Sequence, residues 1–317
     1  MSVSICTMGE LLVEFLCKNY NQGFTRPGEF LGPYPSGAPA IFAAQVARLG
    51  FSSLLFGCVG NDDFGELNIE RLRQEGVATE GITRVDKAPT GTAFVSYRTP
   101  LERDFIFNIP SSACGFLSPD HIQPALLERC QHFHIMGSSL FSFRIIDSMR
   151  KVIKIVKANQ GTVSFDPNIR KEMMNIPEMR QAFNYILEYT DIFLPSEGEM
   201  PYFAHGRNQS EAAIVADLLA GGVQHVAIKR GGNGASHYQR LRGELRELHV
   251  AGYQTPLVDP TGAGDCFGAT FVSLLLAGYP VSEALTYANA SGALAVSRKG
   301  PMEGISTLQE IKRLVLA

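Results

Sequence analysis

The order in which apolar runs and helix-period runs follow one another constrains this chain more than any other feature. Ser4–Met8 is a short apolar run ending at Gly9. Ala38–Leu49 repeats its apolar residues with helical period up to Gly50, Ser53–Val59 is apolar again, and Phe64–Glu75 is helical up to Gly76. After an interruption the alternation resumes at about Ser118. Helices are expected over Asp120–Arg129, Ile145–Ala158, Glu178–Glu188 and Glu211–Leu219, with the strands HFHIMG, TVSFDPN, DIFLPS and His225–Lys229 between them. A polar stretch with a hairpin (Ala235–Val250) and helices over Cys266–Leu276, Val281–Ser297 and Thr307–Val315 complete the chain. Strands joined through helices pair in parallel and are covered on both faces, so the fold class is α/β: three layers around a mostly parallel sheet.

The interruption has a different pattern. TGTAFVSYRT and RDFIFNI, within Thr90–Asn108, are short alternating runs separated by a turn. With Leu11–Cys17 they predict a small antiparallel sheet standing off the main body, a lid with strands at 11–17 and 92–108. The 317 residues suffice for one such domain with its appendage, and no linker or repeat divides them. With 45% hydrophobic residues, 19% charged residues and a net charge of -3, the chain has no basic footprint for nucleic acid or an anionic membrane. No apolar run has the length of a membrane span, and the first residues read as a strand rather than a leader. A cytoplasmic protein with small-molecule partners is expected. The six cysteines are scattered without CxxC pairs, which predicts buried, reduced thiols. His132 and His134 share one face of a strand and have no companion cluster, so they are read as structural rather than metal-ligating.

In a parallel sheet ligands bind beyond the carboxyl ends of the strands, and five strand ends here carry more than turn residues. The first offers Glu10 and Glu14; TVSFD leads to Asp166, Asn168 and Arg170; DIFLP leads to Ser196, Glu197 and Glu199. VAIK ends in Lys229, Arg230, Gly231, Gly232 and Gly234. LVDPTGAGD supplies Asp259, Thr261, Gly262, Gly264 and Asp265 in front of an apolar helix. Two glycines there let backbone N–H groups converge on one anion at a helix N-terminus. Asp265 has two readings on these grounds. It is either a first-turn residue satisfying open amides or a general base for a hydroxyl attacking a phosphate held by those amides.

DPTGAGDCFGATFV resembles the C-terminal signature of the PfkB, or ribokinase-like, carbohydrate kinases, D-T-x-G-A-G-D-x-F. PSGAPAIFAAQVARLG and GCVGNDDFGE resemble the family's N-terminal signature, FDPNIR its D-x-N-x-R element, VAIKRGGNGA its K-x-G-x-x-G element, and YANASGALAVSRKG its helix near the adenine. The likeness runs through nearly the whole chain in the family's order. It implies a ribokinase-like fold and an ATP- and Mg²⁺-dependent transfer to a sugar hydroxyl. Asp265 would be the base, with Gly262 in the catalytic turn, the amides of Ala263, Gly264 and Asp265 forming the anion hole, and Arg170 facing the phosphoryl group or the sugar. Lys229, Gly231, Gly234, Thr261 and Asn289 would hold the nucleotide. Glu14, Gly37, Ala38, Asn108 and Asn168 would hold the sugar. Glu199 would handle Mg²⁺ through water, and Asp259 would take part in a potassium site together with Thr261, Ala295, Arg298 and Gly300.

The chain departs from the family's pattern at Ser196, where asparagine is usual in N-x-x-E, at Ile41 in the first sugar motif, and at Pro260, which replaces a threonine. GELLVEF resembles the start of fructokinases and 2-keto-3-deoxygluconate kinases. An acid sugar calls for an arginine on the second lid strand, where RDFIFNIPSSACG offers Asn108 and Ile109, with Arg98 and Arg103 nearby. The expected substrate is therefore a neutral ketohexose of the fructose or tagatose type, ahead of 2-keto-3-deoxygluconate or ribose. A homodimer through the lid is a further expectation. A regulatory protein that binds nucleotide or sugar without chemistry is the alternative from another class. A nicotinamide-dependent dehydrogenase is disfavoured because the first βα turn lacks GxGxxG.

Overall fold

The computed structural model describes residues 4–99, 102–169, 177–204 and 209–317. In chain order the elements are β1 (Ser4–Glu10), β2 (Leu12–Cys17), β3 (Phe30–Ser36), α1 (Ala38–Arg48), β4 (Ser52–Gly60), α2 (Asp63–Gln74), β5 (Ile82–Val85), β6 (Gly91–Tyr97) and β7 (Arg103–Asn108). They continue with α3 (Pro124–Leu127), β8 (His132–Met136), α4 (Phe143–Ala158), β9 (Thr162–Asp166), α5 (Pro177–Leu187), β10 (Ile192–Phe193), α6 (Glu211–Ala220) and β11 (His225–Lys229). The hairpin β12 (Ala235–Leu241) and β13 (Glu244–Val250) precedes the last helices, α7 (Ala263–Leu276), α8 (Val281–Val296) and α9 (Leu308–Leu316).

Nine strands form the main sheet in the order β13-β12-β11-β10-β9-β8-β1-β4-β5, parallel except for the antiparallel hairpin at one edge. Strand alternation fills both faces. On β4, Leu54, Phe56 and Cys58 join the layer of α4, α5 and α6, together with Phe133, Phe165 and Phe193. Leu55 and Val59 turn the other way, against α1, α2 and Cys266. Beside them α1, α7 and α8 pack over Ile5, Met136 and Ala227.

The strands expected to form a lid lie in a separate sheet in the order β3-β2-β6-β7, called the lid for its place and not for a demonstrated motion. It is not wholly antiparallel as expected: β2 and β6 pair in parallel, since β6 returns only after a full βαβ excursion through the main sheet. β3 is not among the expected strands; its Pro33 and Pro35 are tolerated at a sheet edge, where only one side needs hydrogen bonds. The helix expected over Asp120–Arg129 is a correction. Pro119 opens a single 3₁₀ turn and Pro124 opens a four-residue helix, because each proline lacks a donor and bars helical geometry in the residue before it. The edge strand β5 was also passed over, and the expected strand DIFLPS keeps only Ile192 and Phe193 in the ladder.

His132 and His134 are fully buried and hydrogen-bonded, as the structural reading anticipated. His132 sits between Thr162 Oγ1 (2.7 Å) and Ser164 Oγ (2.7 Å), and His134 meets Ser164 Oγ (2.6 Å) with its ring stacked on Phe42 at 3.7 Å. Burial pulls both imidazoles below their ordinary pKa, so they are neutral. All six cysteines are buried and unpaired. Among the described residues no helix is long and apolar enough to cross a membrane.

Asp62 fastens the lid to the body. It caps α2 by accepting from Gly65 N (2.8 Å), and it also accepts from Thr90 N (2.8 Å) and Thr90 Oγ1 (2.7 Å) directly before β6. Asp62→Ala is expected to lower unfolding stability by about 1–2 kcal/mol, the usual worth of an N-cap, measured by urea denaturation. An unchanged midpoint would show that the cap contributes nothing.

Candidate active site

The site is built around the N-terminus of α7. Gly262 caps it with φ 80, and a Cβ at that position would lie 2.6 Å from the Pro301 carbonyl oxygen. Only glycine meets both demands. The turn heads a 14-residue helix whose first amides have no intrahelical acceptor, and the carboxylate of Asp265, 8% exposed, stands in that first turn. These amides and the helix dipole favour an anion.

Two cavities meet at this turn. One, of about 460 Å³, lies between the lid and the sheet; β2, β3 and the start of α1 contribute Glu14, Ser36, Gly37 and Ala38 to it. Asp166 and Asn168 enter beyond β9, and Thr261, Gly262, Gly264 and Asp265 enter from the α7 turn. Glu14 Oε1 accepts from Ser36 Oγ at 2.6 Å. Gly37 has φ 120 and leaves no room for a side chain, since a Cβ would come within 2.2 Å of the Glu10 carbonyl oxygen. The second cavity, of about 400 Å³, lies between the β11 turn and α8, with Gly231, Gly234, Tyr253, Ala263, Phe267, Asn289 and Gly292 in its walls. Gly234, at φ 92, passes so close to β13 that a Cβ would fall 2.0 Å from the Val250 carbonyl oxygen, and Asn289 Nδ2 donates to the carbonyls of Val250 (2.9 Å) and Ala251 (3.2 Å).

Lys229, Pro260 and Gly264 line both cavities. A Cβ on Gly264 would meet only Lys229, 3.5 Å from Nζ, so the missing side chain keeps the passage between the cavities open. The Lys229 ammonium is ion-paired with Asp166. Burial pushes the Asp166 carboxyl up to about 6, with the Lys229 charge opposing. For Lys229, burial acts to lower the pKa, and the charges of Asp166 and Glu199 outweigh it, so the ammonium is held.

Of the residues singled out in the sequence, Glu14, Gly37, Ala38, Asn168, Lys229, Gly262, Gly264 and Asp265 line the first cavity, while Lys229, Gly231, Gly234, Ala263 and Asn289 line the second. Thr261, expected on the nucleotide side, lines the first cavity instead. Asn108 does not reach it. Strand alternation presents Arg103, Phe105 and Phe107 to the cavity and leaves Asn108 on the opposite face, bonded to Ser111 Oγ. Arg170 lies outside the described residues. Glu10 is buried away from both cavities, where it accepts from Ser138 Oγ (3.2 Å) and Ser139 Oγ.

Glu199 closes a capping box, accepting from Ser196 N (2.6 Å), Ser196 Oγ (2.7 Å) and Ile169 N (2.6 Å), which fill three of its about four lone-pair sites. Asp259, expected beside potassium, accepts from Tyr97, Thr261 and Gly300. Among the described residues no cluster of three or more His, Cys, Asp or Glu could hold a metal ion. Of the other cavity residues, the sequence places Asp166 at a strand end, Arg103 near the second lid strand and Ser36 within the N-terminal motif, without giving any of them a role. The period-2 run Arg103-Phe105-Phe107 was the available signal for the second of them.

A family model described as "pfkB family carbohydrate kinase" matches residues 4–308. The chain belongs to this family of carbohydrate kinases. It is 29% identical over 320 residues to the Arabidopsis thaliana protein named Probable fructokinase-5, with 98% of this chain and 97% of that protein covered. An E. coli protein provisionally designated Ribokinase II, solved in complex with ATP and Mg²⁺, is 50% identical with a TM-score of 0.93, and 99% of each chain is covered. Fructokinase from Vibrio cholerae O395, in its fructose-, ADP- and calcium-bound form, is 26% identical with a TM-score of 0.83 and covers 99% of this chain, itself covered over 100% of its length.

For a kinase with this ion pair, kcat/KM is expected to fall as pH drops through about 6, when Asp166 takes up a proton and releases its hold on Lys229. Asp166→Asn cannot titrate and should lose that acid limb while staying low at every pH. An unaltered limb in the variant would assign it to another group.

Proposed function

We propose that this chain is an ATP-dependent kinase that phosphorylates a hydroxyl of a neutral ketohexose of the fructose or tagatose type. The observation that carries the reading is the position of Asp265 and the α7 amides where two cavities join, one with carboxylate and hydroxyl groups, the other walled by glycines and Asn289. The family and the fructokinase relatives support it.

In this reading the acceptor hydroxyl lies against Asp265, which takes its proton as the hydroxyl oxygen attacks the γ-phosphorus. The first amides of α7, including those of Ala263, Gly264 and Asp265, hold the negative charge that develops on the phosphoryl oxygens. Gly231, Gly234 and Asn289 border the nucleotide, and Lys229 faces its phosphates from the passage. Mg²⁺ would be carried on the ATP phosphates, screening their charge and keeping most of its waters, with Glu199 reaching it through water. Glu14 and Ser36 accept from vicinal sugar hydroxyls, the Ser36 proton being given to Glu14, and they are flanked by Gly37, Ala38 and Asn168. For Arg170, which lies outside the described residues, the role toward the phosphoryl group or the sugar rests on the family resemblance alone. Phe105 and Phe107 on the lid exclude water, which limits ATP hydrolysis.

One observation favours a second substrate within the same class. Arg103 brings a guanidinium into the sugar cavity and so supplies the cation that Asn108 lacks for an acid sugar such as 2-keto-3-deoxygluconate. Against it, the described walls carry three carboxylates, Glu14, Asp166 and Asp265, with Lys229 already neutralised by Asp166.

A panel of fructose, tagatose, psicose, ribose and 2-keto-3-deoxygluconate with ATP and Mg²⁺ tests the reading. Phosphorylation of the acid sugar alone would select the second substrate, and of none would refute a sugar kinase. Asp265→Asn is expected to lower kcat by about a thousandfold, the scale of general-base loss, with ATP affinity by calorimetry unchanged. We further propose that two copies pair through the lid, whose edge strands expose Phe30 and Ile106. Sedimentation at the monomer mass would overturn the pairing.

A further inference from the structure

A carboxylate has about four lone-pair sites, and the protein itself fills those of Asp259. Oδ1 accepts from Thr261 N (3.0 Å) and Thr261 Oγ1 (2.7 Å); Oδ2 accepts from Tyr97 OH (3.0 Å) and Gly300 N (3.1 Å). Asp259 is fully buried and Tyr97 nearly so. Thr261 Oγ1 in turn accepts from Arg103 Nη1 at 2.7 Å. Tyr97 and Arg103 are register partners across β6 and β7. One rung of the lid thus sets two donors on the two residues that flank Pro260, just ahead of the Gly262 turn. Lys299 Nζ adds positive charge 5.7 Å from the Tyr97 ring centroid.

We infer that Asp259 is an anchor between the lid and α7 and not a monovalent-cation ligand, with Tyr97 and Arg103 as positioning residues for the phosphoryl end of the site. A potassium ion could coordinate Asp259 only by displacing one of its four donors, leaving a buried hydroxyl or amide without an acceptor. Burial, and secondly the Asp259 charge, hold the Tyr97 hydroxyl above its ordinary pKa, so it remains a donor. Movement of the lid away from the body would strip Asp259 of Tyr97 and Thr261 of Arg103 together, loosening the segment that orients Gly262 and the α7 amides. The anchor therefore ties water exclusion to assembly of the anion site. The catalytic consequence rests on the kinase reading; the cation consequence does not.

Two measurements separate them. The melting temperature of the ligand-free wild-type protein is expected to be equal in potassium and tetramethylammonium chloride at matched ionic strength; stabilisation specific to potassium would overturn the anchor. With the sugar that the panel identifies, wild-type kcat should be the same in both salts. Tyr97→Phe should lower kcat about tenfold, the scale of one hydrogen bond to a charged acceptor, with little change in KM for ATP and a larger share of ATP hydrolysed without transfer. Arg103→Lys should retain more transfer per ATP than Arg103→Ala. Potassium activation of the wild type, or wild-type kcat and coupling in Tyr97→Phe, would overturn the proposal. Absence of phosphorylation of any sugar would sink the kinase reading and leave the melting comparison as the test of Asp259.

Discussion

The left-handed turn at Gly262 is the constraint on which the rest of the site depends. It is wedged against the Pro301 carbonyl and Ile41, and it aims the first amides of α7 at the passage between the two cavities. A helix N-terminus is attractive to any anion, but here its neighbours decide what the anion can react with. On one side are glycines without side chains and a loop held by Asn289. On the other are carboxylates, a serine hydroxyl and a lid.

Charge in the passage is balanced locally rather than by solvent. Lys229 reaches both cavities, and Asp166, from two strands away, holds it, although burial makes ionisation of Asp166 costly. Such a pair adds little stability by itself. Its value is positional: it keeps an ammonium at the boundary between the two cavities. The lid is tied down in a similar manner, through Asp62 at the start of β6 and through Tyr97 at its end.

Most of the architecture was legible because periodicity and glycine placement are local signals. The βα alternation, the α7 turn and the glycines of the β11 turn could be read in order along the chain, and a family signature matched them. Elements that depend on their position in a sheet were not legible. β3 carries prolines that only an edge tolerates, and the parallel β2–β6 pairing cannot be told from an antiparallel one by alternation. Among site residues, Asn108 came from the region of the second lid strand where an acid-sugar kinase has its arginine, whereas the pleat turns Arg103, Phe105 and Phe107 inward and Asn108 outward. Glu199 and Asp259 look alike as strand-end acids, yet each is committed to protein donors that only the fold brings near.

By itself, then, the sequence determined the three-layer α/β fold, the glycine turn ahead of α7 and the place of Asp265 within it, since these follow from hydrophobic period and from the backbone freedom of glycine. Tertiary structure alone decided which side chains share a cavity: that Arg103 rather than Asn108 faces the first cavity, that Lys229 pairs with Asp166, and that Tyr97 bonds Asp259 across 162 positions of chain. The physical reason is that side-chain direction on a strand, and the choice of partner for a buried charge, are fixed by neighbours distant in sequence.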